Sequence, residues 1–406
     1  MKQFNFIVAT TFLLCTISLT PHTEKANAAE PRAGSVAASS VNSFALDMYK
    51  KLKKPDENVF FSPYGAFVCL SMAYAGAAGD TESQMAKVLH FEQQGPGIHD
   101  AIGSLDRLLA DSAKQPDMVL TTANALWSQK GYAFLLPYMN MLKAKYHAGL
   151  REVDFQGNPQ SAVAAINKWA DQETKGRIKD ILTSVDPLTR LILTNAIYFK
   201  GKWEDQFDKK VTKDEPFTLL DDNKASVQLM TQKKHFRYME GEGFQALELR
   251  YRGGLSMVVF LPSDHKGLPA FEQSITNESM TKWLDSLRMT EVLVYLPKFE
   301  MRDFMSLKPG LESLGMTDAF SDKADFSKMV SKEQLYVNGV LQKTFVKVDE
   351  EGTEAAAVTA VTVHARASAQ KKPKLIVFRA DRPFMFLIRH QASGCILFVG
   401  RVMRPA

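Results

Sequence analysis

Apolar residues first recur at helical spacing at Val41, Phe44, Ala45, Met48 and Tyr49, a helix that the basic run Lys50 to Lys54 closes. Residues 29–41 before it are rich in Ala, Ser and Gly and read as a loose leader. FFSPYGAFVCLSMAYAGAAG reads as a short strand, a helix start at Ser62-Pro63 and a buried helix of small residues. Ser161 to Leu182 reads as another helix ending near a glycine. RLILTNAIYFKGKWEDQF is apolar without alternation, the pattern of a central strand covered on both faces. From Phe217 to Leu261 short alternating strands follow, with a hairpin turn at Gly253-Gly254. EVLVYLPKFE is a further strand, LKPGLESLGM a short helix, and RPFMFLIRH with CILFVGRV a closing hairpin. No repeat or linker divides these blocks. Helices early and strands late predict one α+β domain with large sheets.

The first 28 residues stand apart. Lys2 precedes an apolar run from Phe6 to Leu19, and Ala26-Asn27-Ala28 has the small-x-small form of a signal-peptidase site. The reading is a secretory signal over 1–28 and one domain over 29–406, placed outside the cell, or in the periplasm of a bacterium. Cys15 in the apolar run follows Leu14, a poor lipobox residue, so a lipid anchor is the lesser reading. Two cysteines then remain, Cys69 and Cys395; buried free thiols are one reading, and a single disulfide is the other.

A net charge of +5 on 406 residues is too small and too scattered to suggest nucleic acid. The basic clusters KKLKK and Lys233-Lys234-His235-Phe236-Arg237 read as charged faces, with a polyanion site as the alternative. Nothing has catalytic or metal-ligating spacing: no GxSxG, HExxH, Walker loop or Cys/His cluster. No enzyme, cofactor or metal is expected. The histidines are scattered, and the carboxylate pairs Asp221-Asp222 and Glu350-Glu351 read as solvated. Asn277-Glu278-Ser279 is a glycosylation sequon, meaningful only in a eukaryotic secretory pathway.

The unusual stretch is EEGTEAAAVTAVTVHARASAQKKPK, Glu350 to Lys374. In an extended conformation Thr353, Ala355, Ala357, Thr359, Val361 and Val363 share one face. The other carries Glu354, Ala356, Val358, Ala360, Thr362 and His364. The first set enters a sheet over a core without burying a charge. Gly352 is a natural hinge before it, and Pro373 with its lysines marks an exposed connection. A plain edge strand followed by a loop is the competing reading.

From about residue 41 onward the chain resembles the serpins. The matching stretches are NVFFSPYGAFVCLSMAYAGAAGDTESQM, INKWADQETKGRIKDIL, LTNAIYFKGKWEDQF, VYLPKFEMRDFMSLKPGLESLGMTDAF, VDEEGTEAAAVT and ADRPFMFLIRH with ILFVGRV. The resemblance implies a metastable fold of about nine helices and three sheets with an exposed reactive loop, about 350–374. It implies a suicide inhibitor: a protease cuts the loop, stays attached as an acyl-enzyme, and is carried across as the loop enters the main sheet. Counted from the hinge glutamate Glu350, the scissile bond falls between Arg366 and Ala367, and arginine there suits a trypsin-like serine protease. Lys371 and Lys372 are secondary candidates, because the connection after Ala367 is longer than in many relatives.

The same resemblance makes Glu350, Gly352, Thr353, Glu354, Ala355, Ala356 and Ala357 the hinge, whose small residues favour insertion. It pairs Glu350 with Lys298, places Trp203 at the breach, and puts Ser62 and Asn195 in the shutter. Gln342 stands where the family has a histidine and Gly65 where it has a serine, which puts the shutter's hydrogen bonds in doubt. The partner implied is a protease held covalently by a monomer; a glycosaminoglycan is not indicated, and no nucleic acid or membrane partner is expected. The alternative is a serpin-fold carrier or binding protein whose loop is only a substrate.

Overall fold

The computed structural model describes residues 33–91, 97–146, 149–331, 334–353 and 375–405, and among these it holds nine α-helices and fifteen β-strands. Six strands form one sheet in the order β10 (Phe299–Ser306), β11 (Val337–Val348), β12 (Gly352–Thr353), β4 (Leu191–Lys202), β2 (Met118–Gln129) and β3 (Leu150–Val153). The other runs β1 (Val59–Phe61), β15 (Ile396–Val402), β14 (Phe384–His390), β8 (Leu255–Pro262), β7 (Phe244–Arg250), β6 (Lys224–Gly241), β9 (Arg288–Pro297) and β13 (Ile376–Arg379). β5 (Lys213–Thr218) pairs with β6 off that path. The expected third sheet is continuous with the second through the 18-residue β6. That strand carries β5 and β9 along its first part and β7 along Arg237–Gly241.

β4 is the central strand its unbroken apolar run predicts. It pairs antiparallel with β2 and parallel with β11. Leu191, Leu193, Ile197 and Phe199 face the main core between the sheets. Ile192 and Ala196 face a second core with Trp127, Trp169, Ile178 and Ile181, under α6 (Pro159–Glu173). α2 (Pro63–Tyr74) is buried along most of its length. Ser62 caps it by accepting the Gly65 N–H at 3.1 Å, with Pro63 in the first turn where no N–H is needed. The hairpin between β7 and β8 turns at Gly253 and Gly254, with φ of 92° and 85°.

Three boundaries differ from the sequence reading. α1 (Ala33–Leu52) begins well before Val41, inside the supposed leader. Ala37 and Ala38 are fully packed there, and alanines give a weak apolar period although they bury readily. α6 ends at Glu173, because Lys175 and Gly176 turn left-handed at φ 52° and 81°. Ile178, Ile181 and Leu182 after it stay buried without being helical. EVLVYLPKFE is two strands: β9 ends at Pro297, and β10 opens at Phe299 in the other sheet. Lys298 is the joint between the sheets.

Candidate functional site

The site lies where β11 turns into β12 at one end of the six-stranded sheet. Asp349 and Gly352 close a tight turn, with Asp349 N–H donating to Gly352 O at 2.8 Å. Gly352 has φ 151°, and a Cβ there would lie 2.1 Å from Gly201 O, so only glycine lets the chain re-enter the sheet. It re-enters between two strands at once. Thr353 pairs with Val348 of β11, and Gly352 and Thr353 pair with Lys202 and Gly201 of β4. Both pairings are antiparallel. Beyond this stub β11 and β4 pair directly, from Phe345 opposite Tyr198 back to Val337 opposite Leu191. Thr353 is fully buried, and its hydroxyl lies 2.9 Å from that of Tyr251.

The turn is held from several sides. Trp203 stacks on Tyr251 with ring centroids 4.2 Å apart, and its indole N–H donates to Asp349 O at 2.9 Å. The backbone N–H groups of Trp203 and Phe207 donate to the carbonyls of Glu351 and Glu350, each at 2.8 Å. Lys298 Nζ lies 3.2 Å from Glu350 Oε2, and Thr212 Oγ1 donates to Glu350 Oε1 at 2.9 Å. Glu351 is paired with Lys209. Far from being solvated, Glu350 and Glu351 are 3% and 4% exposed, because folding the turn onto Trp203 buries both. Burial alone acts to raise the Glu350 carboxyl. Hydrogen bonds from its own backbone N–H, Thr212 and Lys298 outweigh it, holding the group below the usual range. Asp349 goes the other way: burial pushes it up against the N–H groups of Glu351 and Gly352.

Further down, a polar network crosses the sheet behind β4 and β11. Gln342 accepts the Ser62 N–H and donates to Ser62 O, both at 2.8 Å, and donates to Asn195 Oδ1 at 2.7 Å. Asn195 donates in turn to Asn124 Oδ1 at 2.7 Å, and the Ser62 hydroxyl donates to Leu397 O at 2.7 Å. The two departures at Gln342 and Gly65 therefore leave the network closed. A primary amide brings two donors and an acceptor, and all are used. Gly65 is bare because a Cβ would lie 2.4 Å from Asn195 Oδ1.

Glu354, Ala355, Ala356, Ala357, Arg366 and Ala367 lie outside the described residues, as do His364, Lys371 and Lys372. Asn277 is exposed at the start of α8 (Asn277–Ser286) and donates to Ser43 at 2.9 Å. Cys69 and Cys395 are buried free thiols; burial pushes the first to about 12 and the second upward. Lys233 is paired with Glu291 at 3.1 Å, Lys234 with Asp205, and Arg237 with Glu248 at 3.1 Å, so that basic cluster is internally balanced. Among the described residues no group of three His, Cys, Asp or Glu is placed to hold a metal, and no helix is long and apolar enough to cross a membrane. Sequence reasoning missed Thr212, Lys209, Tyr251 and Asn124. Only Asn124, a polar break in the apolar strand TTANALW, carried a signal.

The model of the family described as "Serpin (serine protease inhibitor)" matches residues 39–405. The chain is 41% identical to the leukocyte elastase inhibitor of Bos taurus over 377 residues, 89% of this chain and 97% of that one. Among solved structures it is similar to the native state of tengpin, a thermophilic serpin, with TM-score 0.83, 29% identity, and 90% and 94% of the two chains covered. It is also similar to human thyroxine-binding globulin, with TM-score 0.83, 26% identity, and 92% and 100% covered.

Proposed function

The chain belongs to the serpin family, a family of serine protease inhibitors and not of enzymes, and on that premise we propose that it is a secreted suicide inhibitor of trypsin-like serine proteases. The observation that carries the proposal is the stub Gly352–Thr353, already seated between β11 and β4. Continued in register, ten residues past Thr353 is Val363, opposite Leu191 on β4 and Asn338 on β11, the ends of both strands. Thr353 points into the core, so Ala355, Ala357, Thr359, Val361 and Val363 follow it inward and bring no charge. The chain from Thr353 to Arg366 spans roughly 45 Å when extended. That is enough to carry whatever is attached to Arg366 to the far end of the sheet.

The chemistry is that of a substrate stopped midway. The protease's serine attacks the Arg366 carbonyl, the Arg366–Ala367 bond breaks, Ala367 leaves as the amine, and Arg366 remains esterified to the enzyme. Insertion of the loop then competes with water for the ester. Glu350, Gly352 and Thr353 to Ala357 act as the hinge, Lys298 and Trp203 hold the breach, and Ser62, Asn195 and Gln342 form the shutter. The leader 1–28 is removed on export, leaving one domain, 29–406, acting as a monomer. Asn277 is exposed enough to accept a glycan where the pathway allows.

The test is to mix the mature protein with trypsin, run a denaturing gel and sequence the released fragment. The expected result is a covalent complex and a fragment beginning at Ala367. Clean cleavage without a complex favours the carrier reading, which the similarity to thyroxine-binding globulin keeps in play. Replacing Thr353 with Arg places a charge where the hydroxyl is buried and turns the inhibitor into a substrate. Unchanged inhibition by that variant counts against insertion.

A further inference from the structure

The first rung at which β11 and β4 touch directly is Phe345 opposite Tyr198, just past the Gly352–Thr353 stub. Its two side chains lie on the face away from the main core and stack, with ring centroids 6.1 Å apart and planes 15° from parallel. Both are buried, at 7% and 4% exposure. A guanidinium caps each ring: Arg302 of β10 sits 4.8 Å over Phe345, and Arg177, from the segment after α6, 5.5 Å over Tyr198. The stack therefore runs Arg302, Phe345, Tyr198, Arg177. It ties three strands and the covering segment across the seam between β11 and β4.

That seam is the one the loop has to open, and the register says which residue meets the stack. Three residues past Thr353 is Ala356. Three before Gly201 on β4 is Tyr198, and three before Val348 on β11 is Phe345. Both flanking registers, read independently, put position 356 between the two rings. An inserted strand separates its neighbours to about 9.5 Å, two strand spacings, so the rings cannot remain stacked. Alanine, with a single methyl, fits the space between two aromatic side chains.

We propose that the Arg302–Phe345–Tyr198–Arg177 stack is a latch that sets the rate of loop insertion. Phe345 and Tyr198 are positioning residues for that step, holding the seam shut below the seated stub until the loop is released. The proposal rests on the insertion reading above. It adds which contact must break first and which residue replaces it. Stacked aromatics flanked by cations are mutually stabilising, so the cost of breaking the stack opposes opening without affecting the cut itself.

The experiment uses the full mature chain and a fluorescently labelled synthetic peptide, Glu354 to His364, added in excess. Its uptake is followed by anisotropy. Phe345→Leu keeps an apolar side chain on β11 but removes both the stack and its cation. The expected result is uptake about tenfold faster than in the parent, which corresponds to about 1.4 kcal/mol off the barrier. Arg302→Gln, at a well-exposed guanidinium, is expected to give an increase of about threefold. If Phe345→Leu fails to fold, that second variant decides alone. Parent-like rates in the folded variants overturn the latch while leaving insertion standing. No uptake of peptide by the parent overturns insertion itself, and the latch with it.

Discussion

Replacing Gln342 with Leu removes the hub of the polar network while keeping the side chain close in size. Gln342 is fully buried and makes three hydrogen bonds, to the Ser62 N–H, to Ser62 O and to Asn195 Oδ1. Ser62 O keeps a partner, since it also accepts the Ala66 N–H at 3.2 Å. The Ser62 N–H and Asn195 Oδ1 are left dry and unpaired, at a cost of about 1–3 kcal/mol each. Burying the leucine returns roughly 1.5–3 kcal/mol, so the net loss centres on about 2 kcal/mol. A chain of this length shifts its midpoint by about 1–2 °C per kcal/mol, which predicts a fall of about 2–4 °C. The assay is thermal denaturation followed by circular dichroism at one fixed scan rate, because a metastable fold reports a rate as much as an equilibrium. Gln342→His offers one ring donor and one ring acceptor in place of two donors and an acceptor, and should lose about half as much. A midpoint within about 1 °C of the parent for Gln342→Leu would refute the reasoning, since it would mean that the network is not what joins α2, β4 and β11.

Gly65→Ser should destabilise strongly, because its Cβ would sit 2.4 Å and 2.5 Å from the two amide atoms of Asn195. Adding Asn195→Ala removes those atoms, so the double variant should melt less than the two single losses would sum to; additivity would refute the clash. The turn should also carry a pH signature. Asp349 is raised in the fold, so its cost is present above its folded pKa and is relieved as the pH falls toward about 3.9. Glu350 is lowered, so its contribution is present above about 4.3 and is lost as the pH falls through its folded value. In melting curves from pH 7 to 3, Asp349→Asn should gain on the parent at neutral pH and lose that gain on acidification. Glu350→Gln should lose at neutral pH and converge on the parent as the pH falls from about 4.3 through the lowered folded value. Parallel curves for either variant would show that its group does not titrate with folding.

Elements whose cause is local were legible in the sequence. Ser62-Pro63 announces a capped helix start because both residues act within one turn, and Gly253-Gly254 announces a hairpin because left-handed backbone favours glycine. β4 was legible because burial on both faces leaves no room for alternation. What stayed hidden depends on partners distant in sequence. Nothing near Lys298 says that the strand before it and the strand after it belong to different sheets. Nothing in Glu350-Glu351 says that Trp203, Lys209 and Thr212 will fold over them, and charge alone argues for solvent. The network at Gln342 shows the limit most clearly. Taken one at a time, glutamine for histidine and glycine for serine both read as losses. Placed together they fit one another. The amide reaches from β11 to the Ser62 backbone and to Asn195, and the missing Cβ at position 65 leaves Asn195 the space to be reached. A reading that scores each position against a family pattern counts two defects here, whereas the packing makes them a single alternative solution, and the Gly65→Ser and Asn195→Ala pair is the measurement that separates those two descriptions.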